Sequence, residues 1–314
     1  MSTEEAVAPT RDEIAAAAGL IAGHVRRTPV IDVALPGGRP GTLKLELLQH
    51  TGSFKPRGAF TSVLSAPERP STLVAASGGN HGLAVAHVGR RLGIPTRIFV
   101  PETAPRAKVA RLRALGAEVT QAGQVYAEAL VASAVAAGEP GALVLHAYDA
   151  PATVTGQGTL GLELERQCAP TTVLVAVGGG GLIAGIGSWF AGTGTRVVGV
   201  EPEGCDALAA ALEAGGPVVT QPTGVAVDSL GASTIGSICF AVARSTGLTA
   251  VRVPDDAIRE ARSWLWRELR LAAEPGGATA LAALLSGAWQ PADGERVAVV
   301  VCGANADPAD LPLD

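Results

Sequence analysis

The chain has 314 residues, of which 47% are hydrophobic and 17% are charged, a composition that excludes intrinsic disorder and allows a substantial buried core. Its formal net charge is -5 and its basic residues are scattered, so neither nucleic acid nor an anionic membrane surface is predicted as a partner. Small anionic ligands need only a local site and remain compatible with this charge.

Short β-branched runs alternate along the chain with longer segments rich in Ala, Leu and Arg. The predicted strands are Thr72–Ala76, Thr96–Val100, Ala142–His146, Thr172–Val177, Arg196–Val200 and Arg296–Val301. Their nearly continuous apolar character is typical of strands buried on both faces of a parallel sheet. The predicted helices are Asn80–Leu92, Pro105–Leu115, Val125–Ala137, Thr153–Gln167, Asp255–Leu271 and Gly276–Leu285. This alternation predicts an α/β protein with right-handed crossovers.

Two lobes are predicted from the placement of these elements. The strand–helix series of residues 76–148 is expected to form a smaller domain, and residues 1–75 together with 149–314 a larger one. Ligands of open α/β sheets bind beyond the carboxyl ends of the strands. The loops that directly follow strands are therefore the candidates for a functional site.

No export signal or membrane span is expected. The segment 1–10 carries two Glu and no apolar run, unlike a secretory signal. The uncharged stretch Thr172–Gly192 is long enough to suggest a membrane span, but the glycines of Gly178–Gly181 lie at its middle and would break a helix. The four cysteines, at positions 168, 205, 239 and 302, show no metal-binding or disulfide spacing, so a reducing cytoplasm is the default location.

Lys55 is the first candidate for chemistry. It follows a Thr-Gly-Ser turn in the segment QHTGSFKPRGA, residues 49–59, and opens the next helix. The positive end of a helix lowers the cost of an unprotonated amine and of a nearby phosphate. A lysine with a lowered pKa can form a Schiff base and act as a base. An ordinary surface lysine explains this segment equally well when it is taken alone.

Two glycine loops that follow predicted strands are candidates for binding anions. In the loop ASGGNHG, residues 76–82, backbone N–H groups can face a carboxylate and Asn80 stands at a helix N-cap. In VGGGGL, residues 177–182, four successive amides would form a phosphate-binding cup. The second loop matches neither the P-loop nor the dinucleotide-binding motif. Ordinary helix capping and tight strand–helix packing are the alternatives for each loop alone.

Two further segments place a polar side chain at the edge of a glycine turn. One is EPGGA, residues 274–278, and the other is VCGAN, residues 301–305. Cys302 ends the most hydrophobic predicted strand, where a free cysteine usually belongs to the core.

Together and in this order, HTGSFKPRGA, SGGNHG, GGGGLIAG, EPGGA and CGAN resemble the fold-type II pyridoxal-phosphate enzymes, in particular the serine/threonine dehydratase (threonine ammonia-lyase) and serine racemase group. The resemblance runs from about Thr28 to Asn305. It implies a two-domain fold similar to the tryptophan synthase β subunit, with twisted, mostly parallel sheets flanked by helices. It also implies a homodimer or homotetramer.

The resemblance assigns roles residue by residue. Lys55 is matched to the catalytic lysine that forms a Schiff base with pyridoxal 5'-phosphate. The other cofactor-binding residues of the family are matched by Phe54, Asn80, Gly178, Gly179, Gly180, Gly181, Leu182, Glu274 and Cys302. The loop that receives the substrate carboxylate and its neighbouring wall are matched by Ser77, Gly78, Asn80, His81, Ser53 and Thr51.

The activity implied is that of a lyase which converts a β-hydroxy amino acid, with L-threonine or L-serine expected first, to a 2-oxo acid and ammonia. Cys302 matches the neutral group at the pyridine nitrogen, which does not enforce a full positive charge there and so favours prompt loss of a β-leaving group. The racemases of the group have a serine that acts on the opposite ring face. Gly78 occupies that position here, so dehydration is favoured over racemisation.

A cation site is a further implication of the resemblance. Glu201 matches the acidic strand end that binds a cation in relatives, and the carbonyl of Cys205 is a second candidate ligand. A second carboxylate ligand of the racemases is replaced by Ala207. A monovalent cation or a weak divalent site is therefore the expectation.

Several alternatives remain open. The chain could be a serine racemase, or a dehydratase of a bulkier β-hydroxy amino acid such as phenylserine or hydroxyaspartate. β-Replacement enzymes usually have Asp after the lysine and Asn-Thr-Gly in the carboxylate loop, so Pro56 and His81 count against that activity. The presence of both Lys55 and a complete glycine loop counts against a non-catalytic cofactor-binding protein.

Overall fold

The computed structural model describes residues 7–35 and 38–310. Residues 1–6, on which part of the prediction of no secretory signal rests, lie outside this range. The strands in chain order are β1 Val30–Leu35, β2 Arg39–Lys44, β3 Thr72–Ala76, β4 Thr96–Val100, β5 Glu118–Gln121, β6 Ala142–Val144, β7 Thr172–Ala176, β8 Arg196–Pro202, β9 Thr249–Val253 and β10 Val297–Val300.

The helices connect these strands and cover the sheets. In chain order they are α1 Arg11–Leu20, α2 Lys55–Leu64, α3 Asn80–Leu92, α4 Arg106–Ala114, α5 Tyr126–Ala137, α6 Pro151–Cys168, α7 Gly181–Phe190, α8 Ala207–Ala214, α9 Val227–Leu230, α10 Ser237–Thr246, α11 Asp255–Leu269 and α12 Pro275–Leu285. Short 3-10 turns lie at Glu46–Leu48, His50–Gly52 and Pro308–Asp310.

The larger sheet has six strands in the order β1-β2-β10-β7-β8-β9. Every neighbouring pair is parallel except β1 and β2, which form an antiparallel hairpin at one edge. All five residues of β7 are buried, and β10 and β8 pair with it on either side. The predicted α/β class with mostly parallel sheets is confirmed.

The smaller sheet has four parallel strands in the order β5-β4-β3-β6. Its first strand along the chain is β3, which the predicted boundary at residue 76 had assigned to the larger domain. The boundary stays a prediction, while β3 pairs with β4 and β6 and has no partner strand in the six-stranded sheet of the described chain. Phe60 and Val63 of α2 also pack into the core of this small lobe.

The start of α2 is fixed by a buried ionic network. Nε of Arg57 donates to Glu46 at 2.6 Å and its Nη1 donates to Glu163 of α6 at 2.9 Å. Arg57 and Glu46 are both fully buried, so removing one partner would leave an uncompensated buried charge. Pro56 fits the first turn of α2, where a helix leaves N–H groups without an intrahelical acceptor. The network therefore holds Lys55, one residue before Pro56, in a defined place.

The apolar stretch Thr172–Gly192 divides into β7, a glycine turn and α7, as predicted. Among the residues that the structure describes, no helix is long and apolar enough to cross a membrane.

Candidate active site

One cavity lies where the N-termini of α2, α3, α7 and α12 converge, between the two sheets. These helices begin directly after the segments that the sequence singles out, so each brings a different motif to the cavity. The residues that line it are Phe54, Lys55, Asn80, Tyr148, Ala176, Gly178, Gly179, Gly180, Gly181, Leu182, Ser229, Leu230, Glu274, Gly276 and Cys302. The structure thus brings together all of the predicted cofactor-binding residues.

Lys55 projects its amine into this cavity. Its Nζ donates a hydrogen bond of 2.7 Å to the backbone oxygen of Ala147. Burial lowers the pKa of Lys55 to about 8, although the proximity of Cys302 and Glu274 acts in the opposite direction. The amine therefore loses its proton close to neutral pH, as a nucleophile or base requires.

The glycine loop at the start of α7 is packed too tightly for side chains. A Cβ on Gly179 would overlap the ring of Tyr148, and one on Gly181 would lie 2.7 Å from the backbone oxygen of Tyr148. Gly180 has a φ of 88°, in the left-handed region that favours glycine. The loop therefore needs glycine at these positions. It lies at the N-terminus of α7, where a phosphate binds favourably.

Cys302 lies two residues beyond the end of β10 and is 3% exposed. Its Sγ lies 3.5 Å from the backbone oxygen of Gly276, to which it donates. Burial raises the pKa of the Cys302 thiol and Glu274 acts in the same direction. The group therefore stays protonated and neutral at physiological pH.

Asn80 and Glu274 meet across the cavity wall. Nδ2 of Asn80 donates to Oε1 of Glu274 at 2.6 Å. Burial raises the pKa of Glu274 to about 7, against the effect of this hydrogen bond, which favours the charged carboxylate. Glu274 therefore exchanges a proton within the physiological range.

The carboxylate loop opens onto a second, adjoining cavity. This cavity shares Asn80 and Glu274 with the first, and its lining comprises Gly78, Gly79, Asn80, Leu83, Lys108, Arg111, Asp228, Glu274 and Asn305. A Cβ on Gly78 would meet only Cγ1 of Val100, at 3.4 Å. Gly78 is thus a position without a proton donor that nevertheless has room for one.

Four residues predicted for the carboxylate loop and its wall, Thr51, Ser53, Ser77 and His81, do not line either cavity in the described structure. Nε2 of His81 lies 2.9 Å from the backbone oxygen of Leu145, and burial lowers the pKa of His81 to about 3. The imidazole is therefore neutral and engaged by the small-lobe backbone. Ser77 Oγ accepts from the amide of Gly79 at 3.3 Å, which shapes the loop. The buried hydroxyl groups of Ser53 and Thr51, by contrast, have no hydrogen-bond partner among the described residues.

Glu201, the first predicted cation ligand, has other partners. Its two carboxylate oxygens accept from the amides of Leu208 and Ala209 at 2.8 Å each, at the start of α8. At Cys205 the predicted ligand is the backbone carbonyl, whereas the hydrogen bond to the backbone oxygen of Thr223 comes from the thiol. The described residues contain no group of three His, Cys, Asp or Glu side chains arranged to hold a metal. The cation site stays a prediction, and the hydrogen bonds of the Glu201 carboxylate do not support it.

Sequence reasoning missed several lining residues. Tyr148 comes from a loop, whereas Ser229 and Leu230 end the short helix α9. All three lie outside the quoted motifs, and no periodicity or glycine turn marks them. Lys108, Arg111 and Asp228 belong to α4 and α9, which approach each other only in the folded chain. These residues are identified by the folded structure, because no local sequence pattern marks them.

The donor set fits pyridoxal phosphate. Its aldehyde requires an amine of lowered pKa, which Lys55 supplies, and its phosphate requires a bare amide cup, which Gly178–Gly181 supply. Its pyridine nitrogen suits a neutral thiol such as that of Cys302. The amide of Asn80 is a hydrogen-bond donor for the ring hydroxyl.

Comparisons with known proteins agree with this fit. The family model described as pyridoxal-phosphate dependent enzyme matches residues 21–303. The chain is 39% identical to the phenylserine dehydratase of Ralstonia pickettii over 96% of its own length and 95% of that protein. Its structure resembles maize serine racemase with a TM-score of 0.90, 31% identity and coverage of 96% and 95%. The threonine deaminase of T.th. gives a TM-score of 0.86, 35% identity and coverage of 95% and 99%.

Proposed function

We propose, from the premise that the chain belongs to the pyridoxal-phosphate-dependent enzyme family, that it converts a β-hydroxy amino acid to a 2-oxo acid and ammonia. The β-hydroxyl leaves as water, and one water is consumed when the resulting enamine hydrolyses. The observation that carries this proposal is the convergence in one cavity of a buried lysine of lowered pKa and a bare glycine loop, with the carboxylate loop on the adjoining cavity. The similar proteins are dehydratases, ammonia-lyases and serine racemases.

Binding of the cofactor would use five groups of the chain. Lys55 would hold it covalently, and the amides of Gly178–Gly181 and Leu182 would hold its phosphate. Asn80 would donate to the ring hydroxyl, and Phe54, whose ring centroid lies 5.0 Å from Nζ of Lys55, would pack near the ring. Cys302 would contact the pyridine nitrogen as a neutral group. Pyridoxal phosphate, when bound, supplies a sink for the electron pair left at the α-carbon.

The protein itself supplies binding and proton transfer. The loop from Ser77 to Asn80 would bind the substrate carboxylate through its amides at the start of α3. Nζ of Lys55 would remove the α-proton, for which its pKa of about 8 leaves a useful fraction unprotonated near neutral pH. At the position where racemases carry an acid/base serine, this chain has Gly78, which has no group that could move a proton. One-sided proton transfer supports dehydration over racemisation.

The substrate class is proposed in two steps. L-Threonine or L-serine is the first expectation, from the resemblance of the motifs to threonine and serine dehydratases. A bulkier β-hydroxy amino acid of the phenylserine type is the second candidate, favoured by the aromatic ring of Tyr148 in the cavity wall. The similarity to a phenylserine dehydratase also supports this second candidate.

The deciding experiment is a panel assay with pure holoprotein. The β-hydroxy amino acids serine, threonine, phenylserine and 3-hydroxyaspartate, each in both configurations, are scored for release of 2-oxo acid. Release from one configuration at least is expected. Interconversion of enantiomers without oxo acid would establish a racemase instead, and bound cofactor without turnover of any substrate would establish a binding protein.

A homodimer or homotetramer in the cytoplasm is also proposed. The four cysteines are free thiols, as a reducing compartment favours. The helix α5 exposes Leu130, Val131 and Val135, an apolar face of the kind that association covers. Sedimentation of the pure protein tests the oligomeric state.

A further inference from the structure

Four side chains form a continuous line of hydrogen bonds between the two lobes. Nη2 of Arg111 donates to Oδ1 of Asn305 at 2.6 Å, and Nδ2 of Asn305 donates to Oδ1 of Asn80 at 2.6 Å. Nδ2 of Asn80 then donates to Glu274. Arg111 and Asn80 lie on α4 and α3 of the small lobe, whereas Asn305 and Glu274 follow β10 and precede α12 of the large lobe. Every link therefore crosses from one lobe to the other.

The hydrogen-bonding partners of Asn305 determine how the side-chain amides of Asn305 and Asn80 are oriented. A guanidinium only donates, so the atom of Asn305 that faces Arg111 must be its oxygen. The backbone oxygen of Thr51 only accepts, and it receives Nδ2 of Asn305 at 2.7 Å. The amide of Asn305 is thus fixed from two sides. Its remaining N–H meets the oxygen of Asn80, which turns the Nδ2 of Asn80 toward Glu274 and the cavity.

The turn before Lys55 is shaped around Asn305. Thr51 has a φ of 62°, an uncommon conformation for a residue with a Cβ, and this directs its backbone oxygen to Asn305. Gly52 follows with a φ of 79°, and a Cβ there would approach Oδ1 of Asn305 to 2.9 Å. The amide of Ala304 donates to the oxygen of Gly52 at 2.8 Å. The strained backbone of Thr51 and the required glycine at position 52 therefore both lie against the side chain of Asn305.

We propose that Asn305 is a positioning residue for the reaction, oriented by Arg111. It holds the amide of Asn80 with its N–H groups toward the cavity and Glu274, and so keeps the carboxylate loop that ends at Asn80 seated against the large lobe. Asn305 acts through Asn80 and does not itself touch the reacting atoms. The effect on turnover rests on the proposed function, whereas the effect on the loop does not.

The test is the isosteric substitution Asn305→Asp, with Asn305→Ala beside it. Aspartate retains an acceptor for Arg111 but loses the N–H groups that reach Thr51 and Asn80. Both variants should raise the KM for the amino acid about tenfold, the effect of one unmade hydrogen bond at a partly buried site, with little change in kcat. Both should also increase deuterium uptake by residues 77–83 in the apoprotein, measured by hydrogen-exchange mass spectrometry.

Substitutions of Arg111 form the second part of the test, because Arg111 is exposed and its replacement leaves the core intact. Arg111→Met should produce a smaller effect in the same direction, and Arg111→Lys should restore most of it because an ammonium also donates. Arg97→Met is the matched control, since Arg97 donates to Glu139 within the small lobe, and it should change neither readout.

Two results overturn the proposal. One is an Asn305→Asp variant that matches the wild type in KM and in exchange, because the N–H groups would then be dispensable. The other is unchanged exchange of residues 77–83 in every variant, even where KM rises. A protein inactive toward all β-hydroxy amino acids would refute the proposed function, and the exchange data would still decide the role of Asn305.

Discussion

The Nζ of Lys55 donates to the backbone oxygen of Ala147 at 2.7 Å, at the point where the chain returns from the small lobe to α6. This neutral acceptor sets Lys55 apart from the other two lysines. Nζ of Lys44 is held by Glu163, Gln167 and the oxygen of Thr28, and Nζ of Lys108 is held by Asp228. Lys55 is therefore the lysine most readily deprotonated and released to react.

Lys55→Ala should abolish the visible absorbance of the bound cofactor and lower turnover on the order of a thousandfold or more, since it removes the base and the covalent link. The fold should survive, because the side chain makes a single hydrogen bond. Borohydride reduction of the wild type followed by peptide mapping should label Lys55. A label on Lys44 or Lys108 would contradict the assignment.

The glycine loop gives a prediction about cofactor affinity. Gly179→Ala should weaken cofactor binding about tenfold or more, because the added Cβ overlaps the ring of Tyr148 and displaces the loop. Gly216→Ala is the matched control, since a Cβ there meets nothing within 4 Å. Titration of each apoprotein with pyridoxal phosphate measures the difference. Equal affinities for the two variants would place the phosphate elsewhere.

Glu274 predicts a pH dependence of stability in the apoprotein. Burial raises its pKa from 4.5 to about 7, so the folded state binds a proton more tightly than the unfolded state. The stabilisation is complete below pH 4.5 and is lost as pH rises through 7. Glu274→Gln should therefore gain stability relative to the wild type between those values, on the order of 3 kcal/mol for the full shift.

Thermal midpoints of both proteins across that pH range measure the gain. Glu68→Gln, at an exposed position, controls for the loss of one negative charge. A constant difference between Glu274→Gln and the wild type at all pH values would show that Glu274 does not carry the raised pKa.

The sequence predicts the interior of the fold better than its edges. The strands β3, β4 and β7 are mostly apolar and buried, and the sequence predicts their bounds within a residue. The strands β1, β5 and β9 lie at sheet edges and are partly exposed. These strands contain both polar and apolar residues, so a search for apolar runs does not detect them. β2 was missed for another reason, because it begins Arg-Pro-Gly, residues that seldom begin a strand.

The candidate site follows the same division. Lys55, Asn80 and Gly178–Gly181 stand in motifs whose order along the chain was itself informative. Tyr148 and Arg111 stand in segments without such a pattern, and only the packing of the lobes brings them to the cavities. His81, by contrast, stands in a motif but turns its ring to Leu145. A motif predicts the path of the backbone more securely than the direction of each side chain.

The neutral thiol at the end of β10 leads to a prediction about the pyridine nitrogen. Cys302→Asp should reduce the rate of elimination about tenfold or more while changing cofactor affinity less. A carboxylate there would favour a protonated nitrogen, and so delay loss of the β-hydroxyl. Cys302→Ser keeps a neutral hydrogen-bonding group and should retain most activity. Steady-state elimination rates and cofactor titrations of each variant test this prediction. An unchanged elimination rate in Cys302→Asp would contradict the placement of Cys302 at the pyridine nitrogen.

Gly78 gives the prediction that separates dehydratase from racemase. Inversion at the α-carbon requires a proton donor on each face of the planar intermediate, within hydrogen-bond reach of that carbon. In the proposed function Lys55 would serve one face, and Gly78 has no side chain to serve the other. The wild type should therefore form oxo acid from one enantiomer of serine or threonine with little inverted product. Chiral chromatography of the remaining amino acid measures this.

Gly78→Ser should introduce measurable racemisation. The site accepts the side chain, because a Cβ there makes an ordinary contact of 3.4 Å with Val100 and the backbone conformation needs no glycine. Gly79→Ser is the matched control, since it adds the same hydroxyl one residue later and should bring no inversion. Wild-type protein that already interconverts L- and D-serine as fast as it eliminates water would refute the dehydratase proposal and establish racemisation in its place.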